Sequence, residues 1–223
     1  MEVVIDDALL ASRFPLPEHG DDASKHDRGT VLVVADLPGV AMLAGLAALR
    51  VGAGRLRLWS DVDALAVAVP EARVSKDLDD LVDGADAILL AADVELPRHD
   101  AVVVADAHGL RRGGHVVLPN ESEVDDVPDG ADVVAVRGAI TRITSPGRDD
   151  DVYIERRGGI ALATSGSGDV LAGLVTGLAA RGADPLTATL WAVHLHATAG
   201  ERLPIGTLAR ELIDEAAAPL RCR

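Results

Sequence analysis

The sequence has 223 residues and a mass of 23.1 kDa, and 48% of its residues are hydrophobic, so one globular domain over residues 1–223 is expected and disorder is not. Its formal net charge of −15 at pH 7 disfavours nucleic acids and membranes as partners, because an acidic surface repels anionic polymers and lipids. No apolar run is long enough to span a bilayer, and residues 1–10 carry acids instead of a basic signal region, so a cytoplasmic location is expected.

Segments rich in β-branched residues alternate with Ala- and Leu-rich segments, which predicts a layered α/β domain with a mostly parallel central sheet flanked by helices. A helix is predicted over Val40–Gly54, and very little helix is predicted between the later strands. The predicted strands are Gly29–Asp36, Arg55–Ser60, Ala85–Ala91, Ala101–Asp106, His115–Pro119 and Asp132–Gly138.

The last third of the chain predicts a hairpin and then three helices. The hairpin covers Ala139–Arg157 and turns at Pro146-Gly147, because both residue types favour tight turns. Asp184-Pro185 favours a helix start, since proline is well suited to the first helical position. The predicted helices are Asp169–Arg181, Pro185–Arg202 and Leu208–Ala218.

The segment ALATSGSGDVLAGL at Ala161–Leu174 places a glycine-containing loop directly before a helix. Around Gly166, Ser167 and Gly168, backbone N–H groups would lie free at the positive end of the helix dipole, an arrangement that binds anions such as phosphate. A carboxylate beside a phosphate is repulsive. Asp169 therefore indicates a base that takes a proton from a hydroxyl group as that hydroxyl attacks phosphorus.

The same motif has a simpler explanation, because Thr164, Ser167 or Asp169 would also serve as a helix cap. A Gly-Ser-Gly-Asp segment without further context is more often a helix cap than an anion site. The sequence around the motif favours the anion site over the helix cap. Residues Ala163–Gly200 resemble the C-terminal signature of the ADP/ATP-dependent NAD(P)H-hydrate dehydratases of the ribokinase-like superfamily, ATGGSGDVLAG followed by P-x-x-AA and LHGxAG. Within that signature Ser165 and Ala197 replace two glycines, and the Gly-Ser-Gly-Asp loop is kept.

The resemblance extends to the N-terminal part. KHDRGTVLVV at Lys25–Val34 is similar to the family's K-x-D-x-G-x-V-L-V-I, AALRVGAG at Ala47–Gly54 to its A-A-L-R-x-G-A-G, and VPEARV at Val69–Val74 to its P-E-x-M-V. The middle departs from the pattern. The family's G-P-G-L-G loop is absent after the strand that ends at Ala91, and residues 123–132 leave no room for the family's helices. The resemblance thus implies a ribokinase-like fold trimmed in its middle.

The resemblance also implies the residues of a site. Asp169 would be the catalytic base, beside an anion hole formed by Gly166, Ser167 and Gly168. The nucleotide-binding residues would be Arg137, which replaces the family's lysine, with Gly138, Thr141 and Gly168. The substrate-binding residues would be Gly39, Val40, Asp106, Asn120, Glu123 and Asp169.

Some of these residues have plainer explanations. Asn120 is equally well explained as a turn residue after Pro119, and Asp106 as a solvated carboxylate at the end of a strand. His194 and His196 cannot share a helix face, so a metal-binding pair is not expected and no metal ligand is assigned. We interpret both histidines as packing or supporting groups, with His196 nearer to the glycine loop.

The function implied by the resemblance is repair of hydrated NADH or NADPH. ADP or ATP would phosphorylate the hydrate's hydroxyl group, with Mg²⁺ shielding the phosphates, and elimination of phosphate would restore the nicotinamide. Family members commonly form tetramers, so a homo-oligomer is an expectation. Two other functions stay open: a small-molecule kinase that uses the same half-site, and a non-catalytic relic that binds adenine nucleotide, which the missing G-P-G-L-G loop favours.

The acidic composition and the single cysteine carry further expectations. Lysine is reduced to Lys25 and Lys76 while arginine is plentiful, which fits either GC-rich codon usage or adaptation to high salt. The size of the negative charge favours adaptation to high salt, where screening weakens the repulsion between surface carboxylates. A single cysteine, Cys222, excludes an internal disulfide and a cysteine-based metal cluster.

Overall fold

In the computed structural model, which describes residues 1–20 and 22–220, ten strands form one sheet, and Cys222 lies outside the described residues. The strands are β1 (Glu2–Val4), β2 (Thr30–Val34), β3 (Arg55–Trp59), β4 (Ala72–Ser75), β5 (Ala87–Leu90), β6 (Val102–Ala105), β7 (Val116–Val117), β8 (Val133–Val136), β9 (Thr141–Thr144) and β10 (Val152–Glu155). Their order across the sheet is β1-β10-β9-β8-β7-β6-β5-β2-β3-β4. The pairs β8–β9 and β9–β10 run antiparallel and the other neighbouring pairs run parallel, which confirms the predicted mostly parallel sheet.

The helices of residues 1–20 and 22–220 differ greatly in length. They are α1 (Asp7–Arg13), α2 (Pro38–Arg50), α3 (Asp63–Ala68), α4 (Leu78–Val82), α5 (Ser167–Ala180), α6 (Pro185–Arg202) and α7 (Ala209–Ala217). The carboxylate of Asp184 accepts a hydrogen bond from the Thr187 N–H, and Pro185 takes the first helical position, as predicted for the start of α6. None of these helices has the length and apolar character that a membrane span needs.

One face of the sheet is covered by the long helices α2, α5, α6 and α7. Alternate strand residues such as Val31 and Val33 enter this core, as expected for a pleated strand. The two central helices approach unusually closely, because a β-carbon on Gly173 or Gly177 of α5 would collide with the backbone of Ala44 or Ala48 of α2. This close contact fixes the position of α5, and with it the loop that precedes α5.

The opposite face has a thinner cover. The other strand residues, such as Leu32 and Val34, pack under α4 and the loop after β5 in a smaller core. Short 3-10 helices stand in the connections from β6 to β7 and from β7 to β8, where a parallel sheet usually has longer α-helices. A cavity of about 730 Å³ lies among these loops and is lined by residues that include Leu90, His99 and His115.

The strands and helices predicted from the sequence are all found, with shifts of a few residues at their ends. The hairpin is confirmed: Thr144 pairs with Val152, and Gly147 has a φ of +89° in the turn. Five short elements were not predicted from the sequence, namely β1, β4, α1, α3 and α4. These elements have three to seven residues each, too few for a period of 2.0 or 3.6 to be recognised.

Candidate functional site

The glycine loop lies at the N-terminus of α5, the best-buried long helix among those next to the sheet. Gly166 adopts the left-handed conformation (φ +90°), which suits glycine, and no side chain caps the helix within the described residues. The Ser167 N–H donates to the Thr164 carbonyl (3.2 Å) and the Val170 N–H to the Gly166 carbonyl (3.1 Å). Among the described residues, the N–H groups of Gly168 and Asp169, which lie between these bonds, have no backbone acceptor and are available to a ligand.

An arginine reaches this loop from the sheet. Arg137 directly follows β8, and its N–H donates to the Pro119 carbonyl (2.8 Å), which extends the pairing of β7 and β8 at the carboxyl end of both strands. A β-carbon on Gly168 would collide with Nη1 of Arg137, so the guanidinium group lies directly against the loop. Nε of Arg137 is buried and has no hydrogen-bond acceptor in the described part of the chain. The arginine thus has donors left for an anion at this edge of the sheet, where open α/β sheets bind ligands.

Asp106 holds this arginine in place. It directly follows β6 and is only 4% exposed. Its Oδ1 accepts from Nη2 of Arg137 (2.7 Å) and from the Ala107 N–H (2.9 Å), and its Oδ2 lies 3.5 Å from Nη1. Ala107 has a φ of +49°, a left-handed conformation that is costly for alanine and is enriched at functional sites. Burial raises the pKa of Asp106 to about 6, while the charge of Arg137 acts in the opposite direction.

Asp169 lies in the first turn of α5 and is half-buried. Burial raises the pKa of its carboxyl group above the ordinary value, and Arg137 partly offsets that effect. A raised pKa makes a carboxylate a better proton acceptor near neutral pH. The site therefore combines free N–H donors, one arginine and one carboxylate of increased basicity at one end of a buried helix.

His196 supports the loop from α6. Its Nε2 donates to the Ser167 carbonyl and lies equally close, at 3.0 Å, to the Ser167 hydroxyl. Because a carbonyl oxygen can only accept, Nε2 carries the proton. Burial lowers the pKa of His196 to about 4, so the ring is neutral near pH 7. This confirms the expectation that His196 is nearer to the loop than His194, whose Nε2 instead contacts Asp7 (3.0 Å).

Comparison with known proteins places the chain in a family. The family model described as NAD(P)H-hydrate dehydratase matches residues 129–216, which contain Arg137 and the glycine loop. The chain is 36% identical, over 265 aligned residues, to the ADP-dependent (S)-NAD(P)H-hydrate dehydratase of Xanthomonas campestris pv. campestris, and the match covers 90% of each chain. The chain belongs to the NAD(P)H-hydrate dehydratase family.

Other members of the NAD(P)H-hydrate dehydratase family are similar to this chain in sequence or in structure. The ADP-dependent (S)-NAD(P)H-hydrate dehydratase of Bacillus subtilis is 30% identical, covering 85% of this chain and 86% of its own. The crystal structure of the ADP/ATP-dependent enzyme from Bacillus subtilis, co-crystallised with ATP and Mg²⁺, superposes with a TM-score of 0.76 at 25% identity, over 93% of this chain and 94% of that one. A ribokinase-like superfamily protein from Enterococcus faecalis, with a TM-score of 0.84, 18% identity and coverage of 99% and 96%, shows the fold alone.

The 265 aligned positions exceed the 223 residues of this chain, so this dehydratase family member lacks segments that the Xanthomonas relative has. The structure has short 3-10 helices between β6 and β8. This region includes residues 123–132, where the sequence predicted that the family's helices are absent.

Two predicted substrate residues of this dehydratase belong to a turn. Oδ1 of Asn120 accepts from the N–H (2.8 Å) and the hydroxyl (2.6 Å) of Ser122, and Oε2 of Glu123 accepts from the Asn120 N–H (2.9 Å). The side-chain oxygen of Asn120 is therefore engaged within the turn, which agrees with the explanation of Asn120 as a turn residue. Glu123 also lies 3.6 Å from Nη2 of Arg137, so this turn supports the arginine.

The remaining predicted residues lie along the same edge of the sheet. Gly39 is exposed and Val40 half-buried at the start of α2, and no atom lies within 4 Å of a β-carbon built on Gly39. Gly138 follows Arg137 in the turn from β8 to β9, where a β-carbon on it would meet the Glu121 carboxylate, and Thr141 is the first residue of β9.

The pairing of Arg137 with Asp106 was not predicted from the sequence. The two residues are 31 positions apart and end different strands. A signal existed, because two oppositely charged residues that each follow a parallel strand of one sheet lie at the same edge of that sheet, here on either side of β7. The predicted strand bounds alone did not give the order of the strands, so this signal could not be used.

The charged groups fit a nucleotide better than a bare metal ion. Arg137 and the free N–H groups of the loop suit phosphate oxygens. Within residues 1–20 and 22–220, no three His, Cys, Asp or Glu side chains are arranged to hold a metal ion. Mg²⁺, which commonly reaches such sites bound to substrate phosphates, would therefore depend on the nucleotide for most of its ligands.

Proposed function

We propose that this protein is an ADP- or ATP-dependent NAD(P)H-hydrate dehydratase that converts the hydrated cofactor back to NADH or NADPH. The observation that carries the proposal is the meeting of Arg137, the Gly168 backbone and Asp169 at the N-terminus of α5. The full-length similarity to ADP-dependent (S)-NAD(P)H-hydrate dehydratases supports the choice of substrate.

In the proposed first step, Asp169 takes the proton of the hydrate's hydroxyl group, and the oxygen attacks the terminal phosphorus of the nucleotide. The new P–O bond forms as the bond to the bridging oxygen breaks, and the shortened nucleotide leaves with that electron pair. Negative charge on the transferring group is stabilised by the N–H groups of Gly168 and Asp169 and by Arg137. Mg²⁺ on the phosphates would reduce their repulsion from Asp169.

In the second step, the C–O bond to the phosphate breaks and phosphate leaves with the electron pair. The neighbouring ring carbon gives a proton to the departing phosphate, and the nicotinamide double bond is restored. Asp106 and Glu123 act here through Arg137, which they orient, so we assign them as positioning residues. Gly39, Val40, Gly138 and Thr141 stay proposals for the walls of the substrate and nucleotide pockets.

The test is recovery of the reduced-nicotinamide absorbance from hydrated NADH, with ADP, with ATP and without nucleotide. We expect recovery that requires a nucleotide and Mg²⁺. Binding of ADP without recovery would contradict the dehydratase and leave the kinase or the nucleotide-binding relic. We also propose a cytoplasmic location and a homo-oligomer, the second of which is measured by light scattering on the purified protein.

A further inference from the structure

A second group of basic residues lies at the opposite end of α5 from the glycine loop. Arg181 directly follows α5, and Arg28 and Gly52 come just before β2 and β3, at the amino ends of these strands. With Arg50 and His19 they line a cavity of about 470 Å³. A helix of 14 residues is about 21 Å long, so this cavity is well separated from Asp169.

The Arg181 side chain is fixed in position and is not paired with a carboxylate of the described residues. Its Nη1 donates to the Val51 carbonyl (2.7 Å), and its side chain lies flat against Gly52, where a β-carbon would come within 3.3 Å of Nε. Gly52 has a φ of +103°, so a glycine is favoured there on two grounds. Nε of Arg181 and Nε2 of His19 are buried and have no hydrogen-bond acceptor among the residues that the structure describes.

The charges around the cavity are unbalanced in a chain of net charge −15. Within residues 1–20 and 22–220, no carboxylate lies in ion-pair distance of Arg28 or Arg181, whereas Arg50 pairs with Asp214 (3.0 Å) and Glu18 lines the cavity. Burial, and then the charge of Arg28, lower the pKa of Arg181, which shows that the two guanidinium groups repel each other. An anion between them would relieve that repulsion and satisfy the buried donors.

We propose that this cavity is a second anion site, which binds a phosphate group, free or as the end of a small ester, between Arg28 and Arg181. The guanidinium forks supply the paired donors that suit phosphate oxygens, and His19 supplies a further donor. The apolar walls formed by Leu16, Pro17 and Val51 would accommodate the carbon part of an ester. The site is independent of the dehydratase reaction.

The test uses calorimetric titration with inorganic phosphate at constant ionic strength. Arg137→Ala serves as the background, because it weakens phosphate binding at the glycine loop. In that background, Arg28→Gln should weaken the remaining binding by at least about tenfold, the worth of one charge-assisted hydrogen bond. Arg28 is exposed and makes no ion pair with a described residue, so this variant should fold.

Arg98→Gln is the matched control, because Arg98 is also exposed, has no ion pair within the described residues and is not among the residues that line the proposed cavity. It should leave phosphate affinity within about twofold. Equal affinities of the Arg28 and Arg98 variants, or no phosphate binding in the Arg137→Ala background, would overturn the proposal. Glycerol phosphate that binds more tightly than inorganic phosphate would assign an ester as the occupant, and the reverse order would assign free phosphate.

Discussion

The two faces of the sheet differ in how tightly they are built and in what they give to the site. The helical face holds α5 against α2 through glycine and alanine contacts with backbone, and it presents the loop with Asp169. The other face is covered by one short helix and irregular loops around a cavity of about 730 Å³. Arg137 comes from the edge of the sheet between these layers.

This difference indicates that the helical face supplies the fixed donors of the site and that the loops of the other face supply the groups that position Arg137. Preorganised donors lower a reaction barrier only if they do not move during the reaction, which suits the helical face. The shortened loops between β6 and β8 carry Asp106, Asn120 and Glu123, which position the arginine. The family resemblance is accordingly strong in the helical layer and weak in these loops.

The largest expected effect is on Asp169. Asp169→Asn should lower turnover of hydrated NADH by roughly 10²–10⁴, because an amide cannot accept the hydroxyl proton. ADP affinity should stay equal or rise slightly, since the variant removes a charge that repels phosphate. Turnover and calorimetric titration measure the two quantities. A variant with full activity would contradict the assignment of Asp169 as the base.

The packing difference predicts opposite results for two helical glycines. Gly173→Ala should lower the free energy of unfolding by about 1–3 kcal/mol, because its methyl group would overlap the backbone of Ala44. Gly39→Ala in α2 has free space and should cost nothing or stabilise slightly, by up to about 0.5–1 kcal/mol. Urea unfolding of both variants measures the two changes in the free energy of unfolding. Equal destabilisation would mean that the contact between α2 and α5 is not specially tight.

The buried histidine of the helical face predicts a pH effect. The folded state keeps His196 neutral down to about pH 4, whereas the unfolded state binds a proton below about pH 6.5, so His196 lowers stability as pH falls between these values. Asp106 acts in the opposite direction, because its raised pKa makes stability fall as pH rises from about 4 to about 6.

The comparison of His196→Gln with wild type isolates the histidine from this background. Over the pH range 4 to 6.5, the variant should lose less stability on acidification than the wild type. Chemical unfolding at several pH values gives the two curves. Parallel curves would show that His196 is not held neutral in the folded state.

The smallest effect concerns the acidic surface shared by both faces. Raising KCl from about 0.1 M to about 2 M should increase stability by about 1 kcal/mol, or ~2–4 °C in Tm, because salt screens repulsion among the acids. Thermal unfolding in KCl measures this. A Tm that is flat or falls with salt would favour codon usage as the origin of the charge.

Much of the helical face could be predicted from the sequence. Long Ala- and Leu-rich segments gave α2, α5 and α6, and Asp184-Pro185 gave the start of α6. The glycine loop was found because glycine, serine and aspartate have a physical role at a helix N-terminus. The role of Asp106 needed the strand order, which depends on contacts between distant residues.

The thin face was harder to predict for a physical reason. Its elements are short and their apolar residues are few, so their periodicity does not stand out. Asn120 had two equal explanations from its sequence position, and only its hydrogen bonds to Ser122 distinguish them. The arginine cavity at the other end of α5 joins residues from five separate segments and leaves no local motif.

The central claim is that Arg137 from the sheet edge and Asp169 from the helical face act on the same phosphoryl group. A double-mutant cycle on kcat/KM for hydrated NADH tests it most directly. Arg137→Ala alone should weaken ADP binding by about 1.5–3 kcal/mol. Combined with Asp169→Asn, it should cost much less than the product of the single losses, with a coupling of about 0.5–3 kcal/mol, because residues that act as one unit are not additive. Strictly additive losses would contradict the claim and separate the two residues into independent sites.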